Sequence, residues 1–419
     1  MLSDFPNKKE LLTAASSGHL VLFLGAGVNV GCEMGIPQRQ APLGQQLAND
    51  LSSHFFSDEH YGGESLRTVC MKIQNIEGKK KLREALIQRL NPVQPAQSLL
   101  HITQIEWKSI YTVNIDYGLE TAYSKSNRRV QDIVPIVLPS DLSVSDPETQ
   151  VSYYKLHGCI LKQESNLIFS HRDYTQSREK NLRLFAHLSV SLCESPLLFI
   201  GFGFEDFDFN DIWQSVKDYG GGAAKLQSSF LINPKATPSY IKSMESEGVT
   251  VIASDAATFL HWLKSNLVTK PLSVEDKVID RGAQVAGWVK EKFAVSLPAP
   301  LADAIRKYCD IVSELPSPLR FPDKSRFLLG ARPYWDDIQN GIPIRREVES
   351  DLIEDIILWA QTGKPRISLL LGAAGYGKTT LMMQAAYHIS RNSGLLVLWL
   401  KSNVNFDPVP VAEFVSSIN

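Results

Sequence analysis

The sequence predicts an α/β protein: a parallel sheet with helices on both faces, then a helical connector, then the start of a second α/β unit. Three observations carry that expectation. Short apolar runs alternate with helical patterns over the first two thirds of the chain, and several of those runs end in glycine or Asn/Asp turns. A further strand, glycine-rich turn and helix stand near the far end.

In chain order, strands are expected at Val21–Leu24, Ser109–Val113, Val151–Leu156, Pro196–Ile200, Ser229–Ile232 and Thr250–Ala253. Each is short and rich in β-branched or large apolar residues, as strands buried on both faces require. Helical periodicity lies between them in Lys81–Leu90, Asn181–Leu192 and Ala256–Leu267. Beyond residue 267, Val274–Phe293 and Leu301–Leu315 read as amphipathic helices punctuated by Pro-Ala-Pro and Pro-Ser-Pro. From residue 326 the pattern is strand Ile367–Leu371, a glycine turn, a helix through Ile389 and strand Leu395–Leu400. Three regions follow: 1–267, a helical connector 268–325, and 326–419.

At 419 residues the chain exceeds one ordinary domain, and 44% hydrophobic with 21% charged residues is the composition of a globular protein. A net charge of −2 argues against general affinity for nucleic acid or anionic membranes. Apolar runs are too short to cross a bilayer, and the stretch HLVLFLGAG lacks a basic segment directly before it, so no membrane partner and a cytoplasmic location are expected. Cys32, Cys70, Cys159, Cys193 and Cys309 are scattered without a C-x-x-C pair, which argues against disulfides and against zinc.

Four strand ends carry candidate chemistry. In VLFLGAGVN, Gly25, Ala26 and Gly27 turn a buried strand into a helix, where backbone amides can approach a phosphate group; a plain tight turn explains them equally well. Val30 stands where a dehydrogenase fingerprint needs its third glycine. In YTVNIDYGLE, Thr112, Asn114 and Asp116 sit at a strand's carboxyl end, where ligand groups gather in open α/β sheets; the alternative is a helix-capping turn. In YYKLHGCI, His157 has a side chain suited to proton transfer near neutral pH, or to a structural hydrogen bond. In LLFIGFGFEDFDF, Gly201 and Gly203 precede Glu205, Asp206 and Asp208.

Taken together and in order, these motifs over residues 10–267 resemble the sirtuin family, and most closely the divergent sirtuin-like domains of bacterial antiphage defence proteins. The resemblance implies a Rossmann-like sheet of the sirtuin type and NAD+ as substrate. It implies that Gly25, Ala26 and Gly27 line the cofactor phosphates and that Asp116 lies beside the nicotinamide, with Asn29 and Thr112 also among the cofactor-binding residues. Asn114 would orient ribose or water, and His157 would take a proton. Gly201, Phe202 and Asp206 would lie near the adenosine half.

The departures shape the expected reaction. Deacylating sirtuins carry Gln where this chain has Val113, Asp-Phe-Arg where it has Gln38, Arg39 and Gln40, and Ser where it has Asn29. Their zinc-binding cysteine pairs are absent. Water is then the obvious acceptor, and hydrolysis of NAD+ to nicotinamide and ADP-ribose is expected. The alternatives are protein deacylation, ADP-ribosyl transfer, or a non-catalytic NAD or ADP-ribose sensor.

LLLGAAGYGKTTL contains G-x-x-x-x-G-K-T, formed by Gly372, Gly375, Gly377, Lys378 and Thr379, followed by Thr380. Such a loop cradles nucleotide phosphates, its lysine neutralises β/γ oxygens, and its threonine ligates Mg2+. ATP with Mg2+ is therefore expected there. With Gly330, Pro333, Trp335 and Arg345 upstream, residues 326–419 resemble the start of a STAND-type regulatory NTPase. No second acidic strand end follows the lysine, so the chain is expected either to be a piece of a longer protein, the favoured reading, or to carry a nucleotide site unable to hydrolyse. The resemblance implies a switch: a homo-oligomer, a tetramer among the options, formed when a C-terminal region senses a phage component.

Overall fold

Strands β1 (Val21–Leu24), β2 (Glu33–Met34), β3 (Arg39–Gln40), β4 (Pro92–Gln94), β5 (Ser109–Thr112), β6 (Asp132–Ile136), β7 (Gln150–Lys155), β8 (Leu197–Ile200), β9 (Ser229–Ile232) and β10 (Val249–Ile252) are the β-elements of the first of two units. The units are Met1–Val274 and Glu275–Asn419. The computed structural model describes all residues except 1, 3–4, 36–38, 57–62, 143–148, 170–172, 174–183, 185–186, 190, 192–194, 203–227, 269, 316–326, 328–332, 334, 365, 372–375, 402–406 and 419.

Seven strands form one sheet in the order β10-β9-β8-β1-β5-β7-β6, all neighbours parallel. Every position of β1, β5, β8 and β9 is buried, as continuous apolar runs in a sheet covered on both faces should be. The two-residue alternation of strand side chains sorts them into two cores. Leu22, Leu24, Ile110, Tyr153, Leu198, Ile200, Phe230 and Ile232 belong to one; Val21, Phe23, Tyr111, Tyr154, Leu197, Phe199 and Leu231 belong to the other. A short antiparallel sheet of order β3-β2-β4 stands apart.

All six expected strands form, within two residues at each end. The sequence reading omitted β6, an edge strand that tolerates Pro135 because its outer side needs no ladder donor. The expected helix at Ala256–Leu267 forms as Ala256–Ser265 and that at Lys81–Leu90 as Lys79–Arg89. The helix expected at Asn181–Leu192 falls largely outside the described residues.

Helices α1 (Lys8–Ser16), α2 (Gly44–Phe55), α3 (Leu66–Ile76), α4 (Lys79–Arg89), α5 (Gln97–Ile102), α6 (Gly118–Lys125), α7 (Pro238–Ser246) and α8 (Ala256–Ser265) complete this unit among the described residues. α2, α3 and α4 build a third core with Ile160 and Leu167, and Ile115 and Tyr117 pack against it. The loops after β5 and β7 thus lie between the sheet edge and this three-helix cap. Sequence periodicity had marked α4 alone.

At the contact of α5 with α8, Lys264 donates to Gln104 Oε1 at 2.8 Å and lies 3.5 Å from His101 Nδ1, and the His261 ring is 5.4 Å from that of His101. Burial, then Lys264, then His261 hold the His101 imidazole below its ordinary value. A base depressed in the folded state is protonated first in the unfolded chain. Stability from neutral His101 is therefore present above about pH 6.5 and lost as pH falls through it. The melting temperature of the wild type is expected to fall more on acidification from about pH 7.5 to about pH 5.5 than that of His101→Asn. Equal falls would remove His101 from the account.

In the second unit, α9 (Val274–Phe293), α10 (Ala299–Tyr308), β11 (Cys309–Ile311), α11 (Trp335–Gln339), α12 (Glu347–Ala360), α13 (Lys378–Asn392), β12 (Leu398–Leu400) and α14 (Pro408–Ile418) surround two apolar clusters. The expected helix Leu301–Leu315 is corrected: it stops at Tyr308, and Cys309–Ile311 pairs antiparallel with Leu398–Leu400. A tertiary pairing has overridden a local helical pattern. Trp335 then donates to Asp310 at 2.9 Å and meets Trp399 edge-on, with ring centroids 5.4 Å apart.

The expected strand Ile367–Leu371 is also corrected. It has no ladder, and Ile367, Leu369 and Leu371 are 90%, 81% and 85% exposed. A strand needs a neighbour, and none pairs with it among the described residues. Likewise, no described helix is long and apolar enough to cross a membrane. Cys32, Cys70, Cys159 and Cys309 are buried free thiols, and no described cluster of His, Cys, Asp and Glu could hold a metal.

Candidate functional site

The chain steps from β1 to one side of the sheet through β5 and later returns on the other side at β8. That reversal creates a crevice outside the strands' carboxyl ends, the usual ligand position in open α/β sheets. Here the turns after β1 and β8 interlock. A Cβ on Gly25 would lie 2.4 Å from the Gly201 carbonyl oxygen, and one on Gly27 would lie 2.9 Å from Gly201 Cα. Gly201 itself has φ +66°, and its Cβ would meet the Val28 nitrogen at 2.1 Å. The Gly25 and Gly27 amides donate to the carbonyls of Ile200 and Gly201 at 3.0 and 2.9 Å. These glycines first serve the close passage of two backbones, and their amides are engaged there.

Ala26 to Asn29 form a single 3-10 turn after β1. Its last residue, Asn29, is buried and donates to Asp116 Oδ2 at 2.8 Å. The other Asp116 oxygen accepts from the Gly118 amide, also at 2.8 Å, and so caps the start of α6. Behind Asn29 lies Cys32, whose thiol contacts Asn29 Oδ1 at 4.0 Å and accepts the Ala96 amide. Burial pushes that thiol up to about 11, with smaller effects from the Ala96 hydrogen bond and the Asp116 charge. It therefore keeps its proton at neutral pH and is a poor nucleophile.

Thr112 is fully buried, and its hydroxyl is used within the protein. It donates to the Leu24 carbonyl at 3.0 Å and accepts the Asn114 amide at 2.9 Å. It fixes the departure of the Asn114 loop from β5. Thr112 pairs with Lys155 in the β5–β7 register, and the Leu156 amide continues the ladder to the Thr112 carbonyl at 2.9 Å. Asn114 and His157 each stand two residues beyond that pair. Their loops are stitched again by the Ile160 amide on the Ile115 carbonyl at 3.0 Å.

Asn114 is half-buried and His157 is 8% exposed, so both line the protected edge of the sheet. After His157, Gly158 takes φ +84°, and a Cβ there would meet the Asn166 carbonyl at 2.4 Å. The motif glycine thus permits the sharp turn that leaves the histidine at the strand mouth. Phe202 is placed differently from the rest: its ring is buried in the core, 5.2 Å from Phe23 and 6.1 Å from Phe199. Asp206 lies outside the described residues.

Three charged residues that sequence reasoning passed over organise this edge. Lys155 is completely buried; its ammonium donates to the Asp116 carbonyl and to Glu120 Oε1 at 2.8 Å, and lies 5.4 Å over the Tyr153 ring. Burial raises the Glu120 carboxyl above its ordinary value. Burial acts most strongly, to lower the Lys155 ammonium, but the Glu120, Cys159 and Asp116 charges and the Glu120 hydrogen bond together leave it raised. Each group's ionisation depends on the other. A lysine inside the otherwise apolar run YYKLHG was the signal that could have revealed it.

Arg83 of α4 is the third. It donates to the carbonyls of Cys159, Ile160 and Lys162 at 2.7, 3.1 and 2.9 Å, and to that of Ser165. Nothing in its local sequence marks it, because its partners come from a loop some eighty residues away. Arg83→Ala is expected to cost about 2 kcal/mol, the scale of charge-assisted hydrogen bonds to one donor group, and Arg83→Lys should recover little. Denaturant melts read this directly. Wild-type stability for both variants would show that the loop holds itself.

In the second unit, Gly377 at φ +69° opens α13, so Lys378, Thr379 and Thr380 form its first turn. Arg346 donates to the Tyr376 carbonyl at 2.6 Å and lies against Gly377. Gly372 and Gly375 lie outside the described residues.

Residues 108–252 match the family model described as SIR2-like domain, and residues 325–418 match that described as Novel STAND NTPase 5. The chain joins a SIR2-like domain to a STAND NTPase domain. The SIR2-like match contains the whole Asn114–Asp116 and Lys155–Gly158 constellation. Over 210 residues the chain is 22% identical to the NAD(+) hydrolase ThsA of Cytobacillus dafuensis, a match covering 50% of this chain and 40% of that protein. The chain thus spans well under two thirds of that relative's length.

Among solved structures, a Sir2 homologue in complex with NAD aligns at a TM-score of 0.29 with 16% identity, over 61% of this chain and 92% of that one. A Sir2 homologue–ADP-ribose complex aligns at 0.32 with 15% identity, over 62% and 96%.

Proposed function

We propose that the SIR2-like domain hydrolyses the nicotinamide–ribose bond of NAD+, as the cytoplasmic effector of an antiphage defence protein governed by its STAND unit. The observation that supports this reading is the β5–β7 register, which ends at the Thr112–Lys155 pair, with Asn114 and His157 each two residues further along the chain. The match to an NAD(+) hydrolase supports the substrate.

In the reaction the C–N bond to nicotinamide breaks and its electron pair leaves with the base. The ribose passes through an oxocarbenium-like state, favoured by fixed dipoles at the strand ends and by the cofactor's own phosphates. Asn114 orients the ribose or the water, a C–O bond forms from that water, and His157 takes the proton released. Asp116 is held by Asn29 and by the start of α6, so its role toward substrate is to keep a fixed charge beside the nicotinamide half. The turn Gly25–Asn29 and the neighbouring Gly201 shape the phosphate side.

The second unit would bind ATP with Mg2+ through Gly377, Lys378, Thr379 and Thr380, together with Gly372 and Gly375. Nucleotide-dependent self-association, released by a phage-derived trigger, would switch the first unit on. Lys378→Ala should abolish ATP binding in a titration while leaving the SIR2-like domain folded.

Adding an acyl-lysine peptide to NAD+, ATP and Mg2+ tests the choice of acceptor. Free ADP-ribose should form at the same rate with or without peptide, and the peptide should stay acylated. Peptide deacylation coupled to NAD+ loss would overturn hydrolysis as the reaction.

A further inference from the structure

We propose that Lys155 is a positioning residue for NAD+ cleavage: its buried ammonium locks the Asn114–Asp116 loop to the strand end that carries His157. This inference rests on the hydrolase reading of the site.

A lysine buried completely inside a sheet is costly unless its charge is met. This one is met by two groups that both belong to the segment after β5. One is the Asp116 main-chain carbonyl, the last link of the Asn-Ile-Asp turn; the other is Glu120, in the first turn of α6. The carbonyl contact makes the arrangement more than an ion pair. A charge pair alone would hold helix α6, whereas a donor on the Asp116 carbonyl also fixes the backbone of the turn that presents Asn114.

Strand alternation sets Tyr153 and Lys155 on one face of β7, and His157 follows in the turn just beyond it. Next to them, Ile110 and Thr112 take the same face of β5 in register, and Asn114 follows in the loop just beyond. The Lys155 ammonium lies over the Tyr153 ring. One buried cation therefore ties both catalytic loops to a common frame. Asp116 is reached from the other side by Asn29, so the turn is gripped at its carbonyl by β7 and at its carboxylate by the β1 turn. A displacement of reacting groups by about 1 Å can cost about 100-fold in rate, so such a clamp has direct kinetic leverage.

The test compares the full-length wild type, Lys155→Met and the double variant Lys155→Met/Glu120→Gln. Melting temperature, peptide-level hydrogen exchange, kcat and KM are measured for each. The single variant leaves Glu120 uncompensated and should melt lowest; the double variant removes both charges and should recover most of the melting temperature.

In the double variant, exchange across residues 113–119 should rise while that of β9 stays unchanged. Its kcat should fall about 100-fold with KM within about 3-fold of wild type, the signature of lost alignment in the transition state. Wild-type exchange across 113–119 in the folded double variant would overturn the inference, whatever the activity. So would raised exchange with wild-type kcat. A wild type that transfers ADP-ribose to protein in place of releasing it would overturn the hydrolase reading instead, and exchange would still decide whether Lys155 holds the turn.

Discussion

His157→Ala is expected to slow nicotinamide release by about 10²–10⁴-fold, the range that a positioned general base contributes. His157 follows directly after β7, is 8% exposed, and stands two residues beyond the Thr112–Lys155 strand pair. Its removal should leave the sheet intact, because the ladder that defines the turn runs through the Leu156 and Ile168 amides rather than through the ring. Melting temperature should therefore change little while turnover collapses.

Asn114→Ala should give a loss of similar size with weaker effect on NAD+ affinity, since an orienting amide acts mainly in the transition state. The Asn114 amide remains fixed by Thr112 in that variant. Steady-state kinetics with both variants checks the pair. Turnover near the wild-type rate in both would remove these residues from the chemistry.

The second large effect is on stability. Gly201→Ala adds a Cβ to a residue at φ +66° and drives it to 2.1 Å from the Val28 nitrogen, where only backbone could yield. Left-handed strain costs about 1–2 kcal/mol, and overpacking adds about 1–3 kcal/mol, so a loss of about 3 kcal/mol is expected. Two other glycines separate these contributions. Gly248 has φ +83° with nothing near its Cβ position, so Gly248→Ala should show the conformational cost alone. Gly25 has φ −114°, yet its Cβ would lie 2.4 Å from the Gly201 carbonyl, so Gly25→Ala should show the clash alone.

Denaturant melts of the three variants should rank Gly201→Ala as the most damaging. Equal losses for Gly201→Ala and Gly248→Ala would mean that the two turns can part without cost. The interlocked turns also give the phosphate side of the cleft its form, so Gly201→Ala should weaken NAD+ binding as well.

The sheet was legible because its strands are continuous apolar runs ended by glycine or polar turns. β6 escaped because Pro135 breaks the strand pattern, and an edge position is what makes that proline tolerable. The three-helix cap was partly visible as α4. Its function in covering the 114–118 loop was not, since that depends on contacts from Ile115, Tyr117 and Ile160 far along the chain.

At the site, the motif order pointed to Asn114, Asp116 and His157 as a group. The supporting frame was hidden. Glycines read as a phosphate cradle turned out to be engaged with one another, and Thr112 spends its hydroxyl on the Leu24 carbonyl. Phe202 joins the core, because the left-handed turn at Gly201 brings its ring against Phe23 on the face opposite Ile200. Lys155 and Arg83 act through main-chain carbonyls, which carry no residue-specific signature in the sequence.

In the second unit, Ile367–Leu371 has the composition of a strand but no described partner, and Cys309–Ile311 forms a strand within a helical pattern because Leu398–Leu400 offers it a ladder. Pairing, rather than propensity, decided both.

The most direct measurement is a mass balance on NAD+ incubated with the wild-type chain at high protein concentration with ATP and Mg2+. Nicotinamide and free ADP-ribose should appear in equal amounts, with their sum accounting for the NAD+ consumed. Nicotinamide released while ADP-ribose remains attached to protein, or released without a matching amount of free ADP-ribose, would contradict hydrolysis at the Asn114–His157 site.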